Sequence, residues 1–267
     1  MHDERIPNTI ETEQFVVIKG LVSVLSVCKS AALLALVSFF VHIPLLHAEQ
    51  ATVLDKPLLY QAEYDAKMYG SHVTVRQNLS QLADGNYEVL VAAKAFYGSY
   101  RQRSVFALES GMPKPMHFHV EQKMIGMSRS KKYDTTFKPG MAHFKKRKSS
   151  ADIKVPDDVQ DILSVQLLLR RWLSEGEKDV EFPVLSKAKL KQYRFKVVEE
   201  AVLQIPAGRF NAVKVARIGA SKTYGNFWFA KDWDYMLLKV ESLKGKGKIE
   251  SMEFRSGVIG GQKIKAL

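Results

Sequence analysis

Apolar and polar residues alternate along most of the chain, and this pattern constrains the fold more than any other feature of the sequence. Successive side chains of a strand point to opposite faces, so the alternation predicts strands with one buried and one exposed face. Turn signals such as Asp84-Gly85 separate the segments at hairpin spacing, which favours an antiparallel meander because parallel strands need long crossovers. The predicted strands are 58–68, 72–82, 87–96, 100–109, 116–125, 129–137 and 141–146, and later 189–198, 201–205, 210–218, 224–230, 235–243 and 248–255.

One segment breaks the alternation and predicts a helix over 157–174. Pro156 suits a first helical turn, where its missing N–H costs nothing. Ile162, Leu169 and Trp172 recur at helical spacing and form an apolar stripe. The stripe must be covered, and the sheet offers the apolar surface to cover it. The expected fold class is therefore mainly β, with one principal helix packed against a sheet.

The first 48 residues predict export or anchoring. Residues 20–46 are apolar apart from Lys29 and His42 and a few small polar residues. A lysine at the centre of a spanning helix costs about 2.5–3.5 kcal/mol, which favours a signal peptide with its apolar core at 31–43 and a cut before Glu49. The alternative is an inner-membrane anchor over 21–43. Both place the domain in a bacterial periplasm, with a short linker at 49–57, a single domain over 58–255 and a flexible tail at 256–267.

Charge and cysteine content narrow the partners. The 267 residues carry a formal net charge of +12, and the single cysteine, Cys28, lies in the apolar leader. The exported chain would then have no disulfide and no thiolate site. A basic exported protein is suited to anionic lipid or lipopolysaccharide rather than to nucleic acid. The densest basic run is the candidate anionic-surface site, Lys145, Lys146, Arg147 and Lys148, for which a solvated loop without a partner is the other interpretation.

The chain lacks the local motifs of catalysis: it has no G-x-S-x-G elbow, no phosphate-binding loop and no H-E-x-x-H. His117 and His119 lie two apart on a predicted strand and face the same way, and a third ligand would have to come from His72 or His143. An exposed polar strand face explains the pair more simply. We therefore expect no catalytic residues, no metal and no cofactor.

Aromatic residues concentrate in the hairpin 225–240. Phe227 and Phe229 are predicted on one face of a strand and Trp228 on the other, with the turn at 231–234. Aromatic residues near such turns usually pack across the hairpin, and lining a ligand is the second interpretation. The candidate ligand-lining residues are Ile162, Leu169 and Trp172 on the helix, and Phe227 or Trp228 on the sheet.

Three stretches together resemble a family of exported bacterial proteins known only as a domain of unknown function. They are 161–170 in the helix, 205–215 around the Pro206-Ala207-Gly208 turn, and Phe227 to Ala230 with Leu237 to Val240 in the last hairpin. The resemblance implies a periplasmic domain built as a curved antiparallel sheet, an open or half barrel, with a helix against its concave side. That architecture is similar to the envelope's lipoprotein carriers, which hold acyl chains in the hollow of the sheet. The family implies no catalytic residues.

The sequence thus favours a non-enzymatic envelope protein that binds a lipid or another amphipathic ligand between sheet and helix. The alternative is a structural or assembly factor that docks another envelope protein through a basic face or a sheet edge.

Overall fold

The computed structural model describes residues 58–68, 71–96, 98–124, 131–219, 223–243 and 249–267, so the predicted leader and linker lie outside the described residues. One helix, α1 (Ser164–Ser174), and a short 3-10 turn (Lys231–Trp233) accompany the strands. The strands are β1 (Leu58–Met68), β2 (Ser71–Gln81), β3 (Tyr87–Ala95), β4 (Gly98–Glu109), β5 (Met112–Met124), β6 (Lys131–Lys138), β7 (Met141–Lys146), β8 (Ser149–Lys154), β9 (Asp179–Ser186), β10 (Lys189–Ile205), β11 (Gly208–Ile218), β12 (Thr223–Ala230), β13 (Met236–Leu243), β14 (Ile249–Ile259) and β15 (Gln262–Lys263).

The strands form one antiparallel sheet that is not closed, in the order β8-β7-β6-β5-β4-β3-β2-β1-β14-β13-β12-β11-β10-β9, with β15 paired to β14. The mainly β, antiparallel class predicted from the alternation is confirmed. The sequence missed β8 and β9, and it divided β10 in two at a place where the strand continues through a bulge between Val197 and Glu199.

Alternation along the strands places one face in a continuous core. Tyr60, Ala62, Tyr64 and Ala66 of β1 are all buried, and the residues between them are more exposed. Aromatic residues fill much of this inner face: the rings of Phe195 and Phe227 meet edge to face with centroids 6.0 Å apart. Buried residues of α1 belong to the same cluster as these strand residues, so the helix packs on the inner face of the sheet.

The helix begins at Ser164, and the predicted start at 157 is wrong. The buried Asp161 explains the later start, because its carboxylate accepts the N–H groups of Leu163 and Ser164 at 2.7 and 3.1 Å. These are two of the four N–H groups that a helix start leaves unpaired. The residues before Asp161 bond to other parts of the fold instead of forming a helix. The Val155 N–H donates to the Gly140 carbonyl, and Gln160 pairs in parallel with Val184 of β9.

That segment joins the two ends of the open sheet. Val155 and Val159 pack with Ala142 of β7 and Leu185 of β9 in a small second cluster. The Gln160 backbone exchanges hydrogen bonds with β9, donating to Pro183 and accepting from Leu185. The edge of β9 is therefore paired around Val184, which satisfies two backbone groups that an open edge would leave exposed.

The residues after 255 do not form the predicted flexible tail. β14 runs on to Ile259, and Gly260-Gly261, both at positive φ, turn the chain into β15. Ile264 is buried and its N–H donates to the Gly257 carbonyl. The domain therefore extends beyond the predicted boundary at 255. In the described part of the chain, no helix combines the length and apolar character needed to cross a membrane.

Candidate ligand-binding interior

Asp161 fixes the start of α1 to the inner face of the sheet. One carboxylate oxygen accepts the two helix N–H groups, and the other accepts the hydroxyl of Ser104 on β4 at 2.5 Å. Asp161 and Ser104 are both fully buried. Burial raises the pKa of the Asp161 carboxyl, and these hydrogen bonds partly oppose the rise. The position of the helix on the sheet is therefore fixed by a buried hydrogen bond as well as by apolar packing.

Further along, α1 is fixed to several strands through polar side chains. Gln77 of β2 donates to the side-chain oxygen of Gln166 at 3.0 Å and to the Tyr60 hydroxyl at 2.8 Å. The guanidinium of Arg170 lies over the Tyr60 ring, 5.2 Å from its centroid, and donates to the backbone and side-chain oxygens of Asp234. These contacts position the apolar stripe of the helix over the sheet.

The structure brings together four of the five predicted lining residues. Leu169 and Trp172 of α1, Ile162 just before it and Phe227 of β12 are buried in one cluster. Trp172 is 6% exposed, yet its indole Nε1–H has no hydrogen-bond partner among the described residues. Buried indole N–H groups usually find an acceptor, so this donor is an unusual feature of the interior.

Trp228 lies on the opposite, outer face, as the alternation predicted. The ammonium groups of Lys214 and Lys239 each lie 5.4 Å from the centre of the Trp228 ring. This arrangement is a cation–π stack on a partly exposed surface. Of the two sheet residues predicted to line a ligand, only Phe227 faces the helix side of the sheet.

A second polar feature of the interior was not predicted from the sequence. Tyr100 and Gln102 of β4 and Gln122 of β5, hereafter the inner polar patch, are buried on the inner face. Tyr100 and Gln122 are register partners on adjacent strands. The side chains of Tyr100 and Gln102 hydrogen-bond to each other. Nε2 of Gln122 has no hydrogen-bond partner among the described residues. Burial raises the pKa of Tyr100 well above its usual value, Tyr133 adds to the rise, and the hydrogen bond with Gln102 opposes it.

The alternation contained a signal for this patch. On β4 the inward positions are 100, 102, 104 and 106, and the sequence places a glutamine and a serine between a tyrosine and a phenylalanine. Polar residues on a buried face need partners, so they mark either a network or a binding site. Ser104 has its partner in Asp161 and Gln102 has one in Tyr100, which leaves Nε2 of Gln122 on the neighbouring strand as the exception.

The predicted basic run forms the exposed turn between β7 and β8. Lys145 and Lys146 end β7, and Arg147 occupies a left-handed conformation at φ 55°. The Ser149 hydroxyl donates to the Lys146 carbonyl and closes the turn. All four basic residues are exposed, so their charges face solvent.

The predicted histidine pair lies on the outer face of β5. His119 Nδ1 lies 2.6 Å and His117 Nε2 3.4 Å from the same oxygen of Asp134 on β6. Burial is the larger influence on His117 and lowers its pKa, with Asp134 opposing it. His143 pairs with Asp152 at 2.6 Å instead. No group of three or more His, Cys, Asp or Glu side chains in the described residues could hold a metal ion.

The open sheet with its buried helix defines a barrel-like class of protein. It is similar to the crystal structure of a beta-barrel-like protein of domain of unknown function DUF1849 from Brucella abortus. The TM-score is 0.52 and the identity 11%, and the match covers 76% of this chain and 98% of that one. At this identity the likeness shows the fold alone.

The sequence itself identifies the family. Residues 72–252 match the model of DUF3108, described as a protein of unknown function, and the chain belongs to that family. The resemblance inferred from the helix, the proline-glycine turn and the closing hairpin is therefore confirmed. No curated protein matches the chain.

Proposed function

We propose that this protein is a non-enzymatic carrier of the bacterial envelope that binds a lipid or another amphipathic ligand between α1 and the concave inner face of the sheet. The apolar leader supports a periplasmic location, either free after cleavage or anchored by residues 21–43. The basic surface supports an anionic ligand or membrane as the partner.

One observation carries this proposal: polar atoms without partners lie in the interior between the helix and the sheet, beside a large apolar core. The indole N–H of Trp172 on the helix and Nε2 of Gln122 in the inner polar patch on the sheet are such atoms among the described residues. A buried donor or acceptor left unpaired costs about 1–3 kcal/mol, which a fold designed only for stability would avoid. A ligand with polar groups and an apolar body would satisfy these atoms and occupy the same interior.

The direct test is native mass spectrometry of the chain from Glu49 onward, purified from its own periplasm and followed by solvent extraction. We expect an additional lipid mass on the folded protein. Trp172→Phe keeps an aromatic ring but removes the N–H donor, and it should reduce the bound fraction. Trp228→Phe is the matched control on the outer face and should retain the ligand. A lipid-free protein with an empty extract would contradict the carrier.

A specific feature also favours the alternative, an assembly factor. Strand β8 ends the sheet and pairs only with β7 among the described strands, next to the basic turn. An exposed strand edge can add a strand from another protein. Copurification of one stoichiometric protein partner without lipid, lost when Lys145 to Lys148 are changed to glutamate, would favour this function over the carrier.

A further inference from the structure

The strands β5, β6 and β7 change character along their inner face. Phe118 and Val120 of β5 and Phe144 of β7 are buried in the core. Further along β5 comes Gln122 of the inner polar patch, whose register partner on β6 is Lys131. Along these strands the inner face therefore changes from apolar to uncharged polar and then to cationic residues, towards the C-terminal end of β5 and the N-terminal end of β6.

Two lysines occupy this end on the inner face. Lys131 alternates with the buried residues Tyr133 and Thr135 on β6, so it lies on their face of the sheet. Lys146 alternates in the same way with Ala142 and Phe144 on β7. Both are exposed, and we call Lys131 and Lys146 the inner lysine pair.

The neighbouring lysines lie on the opposite face. Lys132 is the register partner of Glu121, and Lys145 is the register partner of Asp134. Asp134 carries the His117 and His119 contacts of the outer surface. Lys132 and Lys145, the outer lysine pair, are also exposed and differ from the inner pair by one residue in each strand.

We propose that the inner lysine pair and the inner polar patch form a headgroup site for an anionic amphiphile, which rests on the proposed carrier function. The lysines supply positive charge at the solvent-exposed end of the site. Gln122, Gln102 and Tyr100 supply buried polar groups below them, and Nε2 of Gln122 is the independent sign of a ligand because it has no partner among the described residues. The acyl chains then extend over Phe118 and Phe144 into the core that contains Trp172.

The chemistry recognised is a phosphate or a similar anion joined to an apolar body. A free anion would be bound by the lysines alone and would leave the apolar interior unused. A neutral amphiphile would use the interior but not the lysines. These two alternatives give different results in the experiment below.

The experiment compares two double variants of the chain from Glu49 onward, Lys131→Glu/Lys146→Glu and Lys132→Glu/Lys145→Glu. Both change the net charge equally, on the same two strands and at exposed positions. Protein stripped of lipid is incubated with phosphatidylcholine vesicles containing phosphatidylglycerol, with phosphatidylcholine vesicles alone, and with inorganic phosphate. Lipid transferred to the protein is measured by native mass spectrometry, and thermal melting checks that both variants fold.

We expect the wild type to extract phosphatidylglycerol in preference to phosphatidylcholine. The inner variant should bind at least about tenfold less phosphatidylglycerol than the wild type, because each reversed charge replaces an attraction with a repulsion. The outer variant should keep most of the wild-type uptake.

Three results would overturn the site. Equal loss in both variants would mean general attraction to an anionic surface. Equal uptake of both lipids by the wild type and both variants would leave the carrier intact and remove the headgroup site. Phosphate bound by the wild type and lost in the inner variant, without lipid uptake, would assign the lysines to a small anion. Failure of every protein to take up any lipid would instead contradict the carrier function itself.

Discussion

Asp161→Ala is expected to destabilise the protein by about 3–5 kcal/mol, because it removes three hydrogen bonds to a buried carboxylate and leaves their donors unpaired. The donors are the N–H groups of Leu163 and Ser164, at 2.7 and 3.1 Å, and the hydroxyl of Ser104, at 2.5 Å. The two N–H groups begin the helix and the hydroxyl belongs to the sheet. The change should therefore loosen α1 from the inner face as well as lower the free energy of unfolding.

Asp161→Asn separates the hydrogen bonds from the charge. The asparagine oxygen can still accept the two N–H groups, and its amide can donate to Ser104 once that hydroxyl rotates. We expect a cost of about 1 kcal/mol or less for this variant. Urea unfolding followed by tryptophan fluorescence measures both variants, since Trp172 lies on the helix itself.

The pH dependence provides a second readout of the same group. Burial raises the pKa of Asp161 in the folded state, so the folded protein binds this proton at a higher pH than the unfolded chain does. The contribution of Asp161 to stability is therefore present below the carboxyl's ordinary pKa and falls as pH rises through the folded-state pKa. The difference in stability between Asp161→Asn and the wild type should therefore shift in favour of the variant as pH rises through that window. An alanine variant that costs under about 1 kcal/mol, or an asparagine variant as damaging as alanine, would refute the reasoning.

Four further changes test the faces of the sheet and the end of the chain. Phe227→Ala should lower the free energy of unfolding by about 3–5 kcal/mol, because it leaves a cavity in the core. Trp228→Ala should lower it by about 1 kcal/mol, because it removes only the cation–π contacts of the outer face. Equal costs would contradict the assignment of the two residues to opposite faces. Deletion of the residues after Ile259 should lower the free energy of unfolding by about 3 kcal/mol, because the burial of Ile264 and several terminal backbone hydrogen bonds are lost. An unchanged urea midpoint would contradict a packed terminus. Gly208→Ala should cost about 1–3 kcal/mol, because φ is +126° and the added Cβ would lie 2.3 Å from the Cβ of Ala266. The cost should be smaller in the protein truncated after Ile259, which lacks Ala266. If the costs of the two changes were fully additive, the clash would be refuted.

Alternation made the sheet predictable because each half-buried strand repeats with period 2. It also placed Phe227 and Trp228 on opposite faces, although it could not say which face met the helix. β8 was missed because it is exposed along nearly its whole length and so has no apolar face to detect. β9 was missed because Val184 and Leu185 are both buried, one in the main core and one in the small cluster under the joining segment, which removes the alternation.

The helix start and the interior site depend on contacts that the sequence does not contain. Pro156 followed by acidic residues is typical of a first helical turn. The hydrogen bond that Ser104 donates to Asp161, which holds this residue ahead of the helix, forms only when the helix lies on β4. The inner polar patch is visible as glutamine at buried positions, but the unpaired Nε2 of Gln122 is a property of the assembled sheet. Sequence reasoning identified the basic turn, while the division of its lysines between two faces required the register of β5, β6 and β7.

The pairing of β1 with β14 has a consequence for the order in which the chain can fold. Along the sheet, β1 to β8 and β9 to β14 are each consecutive neighbours, and β1–β14 is the junction between the two runs. Each run can form from local hairpins as the polypeptide emerges, whereas the junction joins residues as distant as Tyr60 and Ile259. Closing so long a loop is slow relative to hairpin formation, so the edge of β1 stays unpaired until the last strands have been synthesised. A chaperone that shields this edge until β14 has been made would protect the step most exposed to aggregation.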